Sequence, residues 1–234
     1  MCFSATASFT AGTALLIVGA VTVRHAERRV EWPFALIPLL FGIQQLIEGV
    51  LWLTLPAGPA LLNTVLTHAY SFFSHVFWPV YVPLAVLLLE PVRWRRQALR
   101  GIALAGAAVG LYLLYVLIRL PVVAEVSDSH IAYLSPHFYV LAVMGLYVLG
   151  TCVSLMVSSH SAVRLFGAAA FLSFMAAYFF YATWLISVWC FFAAVLSGIV
   201  LLHFRGRSDK VARLIRTAAT SGAAPRPEDG RTPF

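Results

Sequence analysis

Seven apolar stretches of roughly 17 to 25 residues, parted by short polar gaps, organise this chain: near 8–24, 34–55, 66–89, 101–119, 136–157, 163–181 and 184–204. A helix rises about 1.5 Å per residue, so about 20 apolar residues match the roughly 30 Å hydrocarbon core of a bilayer. The last two stretches nearly touch. Residues 165–204 contain no Asp, Glu, Lys or Arg and run to about twice a crossing length, so a tight turn near Tyr181–Thr183 must divide them. The pattern predicts an all-α fold: a seven-transmembrane-helix bundle over 1–206, then a basic, partly disordered tail over 207–234. A short interfacial helix is expected near Asp209–Arg216 of that tail.

Composition agrees and charge adds orientation. The chain is 61% hydrophobic and 11% charged, whereas a soluble domain carries about 25% charge. Fifteen of the sixteen Lys and Arg residues lie in alternate gaps: Arg24, Arg28 and Arg29; Arg93, Arg95, Arg96 and Arg100; Arg164; and the tail. Only Arg119 lies opposite, followed by Glu125 and Asp128. The positive-inside rule then puts the N-terminus outside and the C-terminus in the cytoplasm of a bacterial inner membrane, which requires an odd number of spans. Met1 to Val23 has no positive leading region, so it reads as a retained span rather than a cleaved signal. The net charge of +7 sits beside apolar spans, which points to anionic membrane lipid rather than nucleic acid as a partner. The only lysine, Lys210, is in the tail, which excludes a Schiff-base pigment inside the bundle. Cys2, Cys152 and Cys190 are too scattered for a disulfide framework or a CxxC zinc site.

Candidate chemistry comes from polar groups at membrane depth. Glu48 is the only carboxylate well inside a span, roughly 10 Å from its outer end, and His75 lies roughly 13 Å deep in the next. An ionised acid in the core costs about 2.5–3.5 kcal/mol or more, so Glu48 must be protonated, paired, metal-bound or hydrated. Gln44, Gln45, Glu48 and Trp52 share one helix face, and His68, Ser71 and His75 form a stripe on the third helix. Ser187 and Cys190 on the seventh helix reach a similar depth. Pro79 cannot donate to the carbonyl of His75, nor Pro83 to that of Pro79, which predicts a kink with loose carbonyls. The segment Gly106 to Gly110 reads as a tight crossing within the bundle or as a homodimer face.

These groups leave three readings open. Glu48 and His75, with His68, His137 or Cys2, could hold a divalent cation such as Zn2+, with copper as another choice. Glu48 could instead be a neutral acid clamping helices together, or a proton or ion relay. The residues around it, Gln44, Gln45, Ser71 and Cys190, would line a polar pocket opening outward between the second, third and seventh helices. Function divides accordingly: a metal-dependent membrane hydrolase of a lipid or small amphiphile, with Glu48 and His75 catalytic, or a seven-helix sensor, or a proton-coupled carrier protonated at Glu48.

Three segments carry a resemblance. Met1-Cys2-Phe3-Ser4-Ala5, the run Leu40 to Gly49 and the Trp78-Pro79 pair resemble a bacterial family of integral membrane proteins of unknown function. The Ser71-x-x-x-His75 spacing is also similar to that of the ceramidase and adiponectin-receptor superfamily, which implies a seven-helix zinc hydrolase. The seventh helix lacks that superfamily's HxxxH pair.

Overall fold

The computed structural model describes residues 4–127, 130–134, 138 and 140–205. Helix α1 is Ala5–His25, α2 Arg29–Thr54, α3 Ala60–Leu89, α4 Arg93–Arg119, α5 Leu141–Val157, α6 Ser161–Phe180 and α7 Ala182–Arg205. Six are long and apolar enough to cross a membrane; α5 is shorter, rising about 25 Å. A multi-pass membrane protein follows from length and composition. The expected break between the last two spans falls at Tyr181, whose φ of −135° and ψ of 40° leave the helical region. The tail and its expected helix lie outside the described residues.

Helix α1 begins where Ser4 Oγ accepts the Ala7 N–H at 3.2 Å. It buries Ser8, Gly12, Leu15, Gly19 and Thr22, a stripe spaced four and three residues apart that keeps one face on α2. Gly12 and Gly42 make the close approach possible: a Cβ on either would stand about 3 Å from the other's carbonyl oxygen.

The prolines of α3 change its winding rather than break it. Residues Phe72–Phe77 form a π-helix in which the Trp78 N–H reaches the Phe73 carbonyl, five residues back. Because Pro79 offers no N–H, a shifted hydrogen-bond register is the local way to continue the helix. Polar side chains bond carbonyls in this stretch: Ser74 Oγ donates to Ser71 O at 3.3 Å, His75 Nδ1 lies 3.1 Å from the same oxygen, and the Tyr147 hydroxyl donates to Ser74 O. A second π segment, Leu149–Val153 in α5, packs against the Trp78–Leu89 part of α3 that follows the first. A Cβ at Gly106 would overlap the Pro79 carbonyl oxygen, and one at Gly150 would stand 2.9 Å from it. That carbonyl has no Pro83 N–H to accept, so two glycines close over it, an approach that Cα–H···O contacts favour. Gly110 meets Val80 and the Val76 carbonyl. The Gly106–Gly110 segment therefore makes the crossing inside the bundle.

One element departs from the all-α expectation. Val123–Ser127 (β1) and His130–Leu134 (β2) pair antiparallel, from Val123↔Leu134 to Ser127↔His130. Val122, Val123, Val126, Ile131 and Tyr133 favour the extended backbone. Strand β2 is wedged between helices: Tyr133 stacks on Tyr70 of α3 at 4.4 Å and 6°, and His130 on Trp184 of α7 at 4.7 Å and 22°. The hairpin defines one end of the bundle. At the other, Glu90 accepts N–H bonds from Val92 at 3.1 Å and Ser159 at 2.6 Å. Arg95 and Arg164 donate to carbonyls of Val157, Ser158 and Ser159.

Candidate functional site

Glu48 lies on the buried face of α2, six residues from its hairpin end, and is fully enclosed. Ser187 Oγ, two residues into the regular part of α7, donates to Glu48 Oε1 at 2.7 Å. Gln45, one turn back on α2, places its Nε2 3.4 Å from Oε2. The hydroxyls of Tyr70 from α3 and Tyr133 from β2 also lie near the carboxyl. Four elements thus bring neutral polar groups to one acid. Cys190, one turn beyond Ser187, lies beside it and beside Gln44. The Gln44 Oε1 in turn accepts the Trp78 indole N–H at 2.6 Å, and Trp78 stacks on Phe41 at 3.8 Å.

The cage is incompletely satisfied. Gln45 Oε1, Gln44 Nε2 and Ser71 Oγ are buried without a hydrogen-bond partner, as few native groups are. Next to the cage, on the side toward Glu90, a cavity of about 20 Å³ is lined by Phe41, Trp78, Tyr147, Thr151, Trp189 and Cys190 among others. That is room for about one water. Of the residues expected to line an outward-opening polar pocket, Cys190 borders this cavity, whereas Gln44, Gln45 and Ser71 do not, and its mainly apolar walls come from α5 and α6 as well as α2, α3 and α7.

His75 is buried in the π segment. Its Nδ1 lies 2.8 Å from Ser74 Oγ and 3.1 Å from Ser71 O, its ring meets Phe138 edge-on at 5.0 Å, and its Nε2 has no partner. No hydrogen bond among the described residues joins it to Glu48. His68 is partly exposed, with Nδ1 2.8 Å from the Thr64 carbonyl. Cys2 and His137 lie outside the described residues. Among the described residues no three of His, Cys, Asp and Glu come together, so the donor set that zinc requires is incomplete there.

Sequence reasoning reached Glu48, Gln44, Gln45, Ser187 and Cys190 through helix depth. It missed Tyr70 and Tyr133. Tyr133 sits in a connection where helical periodicity says nothing; the β-favouring residues between 122 and 133 were the available signal.

A mostly helical membrane bundle closed at one end by a β-hairpin, with a caged carboxyl beneath it, is the class of protein these features define. The chain belongs to a family of unknown function, DUF6629, whose profile matches residues 1–216. No curated protein and no solved structure matches the chain, so the likeness to the ceramidase and adiponectin-receptor superfamily gains no support.

Proposed function

We propose that this protein is a seven-span protein of a bacterial inner membrane, N-terminus outside, in which Glu48 is a protonation site coupling proton uptake to helix arrangement, as in a sensor or a proton-coupled carrier. The carrying observation is the convergence of Ser187, Gln45, Tyr70 and Tyr133 on one enclosed carboxyl. Ionised, Glu48 accepts from Ser187 and Gln45, with the hydroxyls of Tyr70 and Tyr133 close by to add to them. Protonated, it must donate one bond itself, and the acceptor at hand is Gln45 Oε1, which has no partner and is brought into line by rotating the amide. The Gln45 N–H bond to the carboxyl is then given up, and the hydroxyls meet a neutral, weaker acceptor. Because the polar groups around it belong to α2, α3, β2 and α7, a proton on Glu48 changes the interactions where those elements meet, which is how a local charge change biases a larger equilibrium. No lysine, arginine or histidine hydrogen-bonds the carboxyl among the described residues to hold its charge fixed.

Infrared difference spectroscopy on the full chain in detergent or lipid tests this. A C=O stretch of a protonated carboxyl that comes and goes with pH, and that is missing in Glu48→Gln, is the expected result. Absence of any such titrating band overturns the reading. The charge pattern of the connections, with Arg24, Arg28, Arg29, Arg93, Arg95, Arg96 and Arg100 at one level, supports anionic lipid at the cytoplasmic face.

A further inference from the structure

We infer that the Glu48 cage also takes a monovalent hard cation, sodium, in place of the proton. The inference rests on reading Glu48 as a carboxyl that ionises, and it adds a second occupant of the same site. Charge decides the valence. The groups facing Glu48 from the elements packed against it are Gln45 and Gln44 on α2, Tyr70 on α3, Tyr133 on β2, and Ser187 and Cys190 on α7. All of these are neutral, so among the described residues the site carries one negative charge, that of Glu48. One positive charge neutralises it, whereas a divalent ion leaves a net charge inside the bundle, which membranes penalise.

The donor set decides the chemistry. The carboxylate oxygens, the hydroxyls of Ser187, Tyr70 and Tyr133, and the Gln45 amide oxygen are hard oxygen ligands, the kind that alkali and alkaline-earth ions prefer. One of them already has lone pairs to offer. Gln45 is fully buried and its Oε1 has no hydrogen-bond partner, while the same carboxamide stands 3.4 Å from Glu48 Oε2 through its nitrogen. A bond that long is weak, so rotating the amide to bring the oxygen in loses little. Ser187 is 2.7 Å from the carboxylate, and its hydroxyl turns its proton away to present lone pairs instead. A compact cage suits sodium better than the larger potassium.

Thermal unfolding of the purified full chain at alkaline pH tests the site, in NaCl, KCl and choline chloride at equal ionic strength. A Tm higher by about 3 °C or more in NaCl alone, absent in Glu48→Gln and diminished in Ser187→Ala, is expected, since each kcal/mol of linked binding moves Tm by roughly 2–4 °C for a chain of this size. If Glu48→Gln does not fold, Ser187→Ala and Tyr133→Phe carry the comparison. Equal responses in the three salts, or a sodium response that persists in the variants, overturns the cation site. A shift produced by ZnCl2 instead, lost in Glu48→Gln, overturns the monovalent assignment. The infrared band separates the two ideas. A titrating Glu48 band without a sodium effect removes the cation alone, and a sodium effect without a titrating band removes the protonation reading while the cation site stands.

Discussion

Two of the buried carboxylates sit toward opposite ends of the bundle, Glu48 at 0% and Glu90 at 2% exposure, and they are held in different ways. Glu90 accepts backbone N–H groups of Val92 and Ser159, donors fixed by the chain itself, in a loop further gripped by Arg95 and Arg164. Burial alone raises its carboxyl, but those hydrogen bonds outweigh it and hold Glu90 below the usual carboxylate range. At neutral pH it is an anion that staples the α3–α4 connection to the α5–α6 connection. Among the described residues Glu48 accepts from side chains alone, Ser187 and Gln45, with the rotatable hydroxyls of Tyr70 and Tyr133 nearby, and keeps orphaned polar atoms for neighbours. Burial alone therefore does not mark a working acid. What distinguishes one is whether its partners can reverse their roles.

The contrast breaks or sharpens under substitution. The largest effect is expected for Glu90→Ala, which takes the carboxylate acceptor from two half-buried N–H groups and costs about 3 kcal/mol, read as a fall in Tm of roughly 6–12 °C in detergent. Glu48→Gln, whose amide still accepts from Ser187 and donates to Gln45 Oε1, should stay within about 1 kcal/mol of wild type. Equal losses in the two variants would erase the distinction between staple and switch. Next in size, Ser187→Ala and Tyr133→Phe each remove one hydroxyl from Glu48 and should cost about 1 kcal/mol; they should also move the Glu48 carboxyl band, whereas Arg164→Ala should leave that band in place.

The smallest and most discriminating effect is in pH. A carboxyl held low in the folded state adds stability that is fully present above its unfolded value and is lost as pH falls through its folded value. The stability difference between wild type and Glu90→Gln should therefore persist from neutral pH down to the ordinary carboxylate range, shrink as pH falls through it, and close in stronger acid. Closure already near neutrality in unfolding curves would show that Glu90 is not the fixed anion described.

Much of the frame is legible in the residues. The apolar runs foretell the helices α1 to α4, α6 and α7, the break at Tyr181, and the Gly106 crossing, because helix length and small-residue spacing are properties of a segment read alone. The α4 helix starts earlier than its apolar run, at Arg93 rather than near 101, since a basic first turn outside the hydrocarbon is helical without being apolar. The π segments were foreshadowed only as a kink at Pro79: proline announces a lost bond, but the remedy depends on whether Tyr147 is there to take up the Ser74 carbonyl. The hairpin was invisible to a search tuned to a period near 3.6.

The sequence by itself determined that Glu48 would be buried at membrane depth among Gln44 and Gln45, because apolar length and one-turn spacing are local facts. Tertiary structure alone decided which partners reach it. Tyr70, Tyr133 and Ser187 come from three other elements and His75 turns to Ser71 and Ser74 instead, since hydrogen bonds are directional over about 3 Å and small differences in helix rotation and winding choose which side chains come that close.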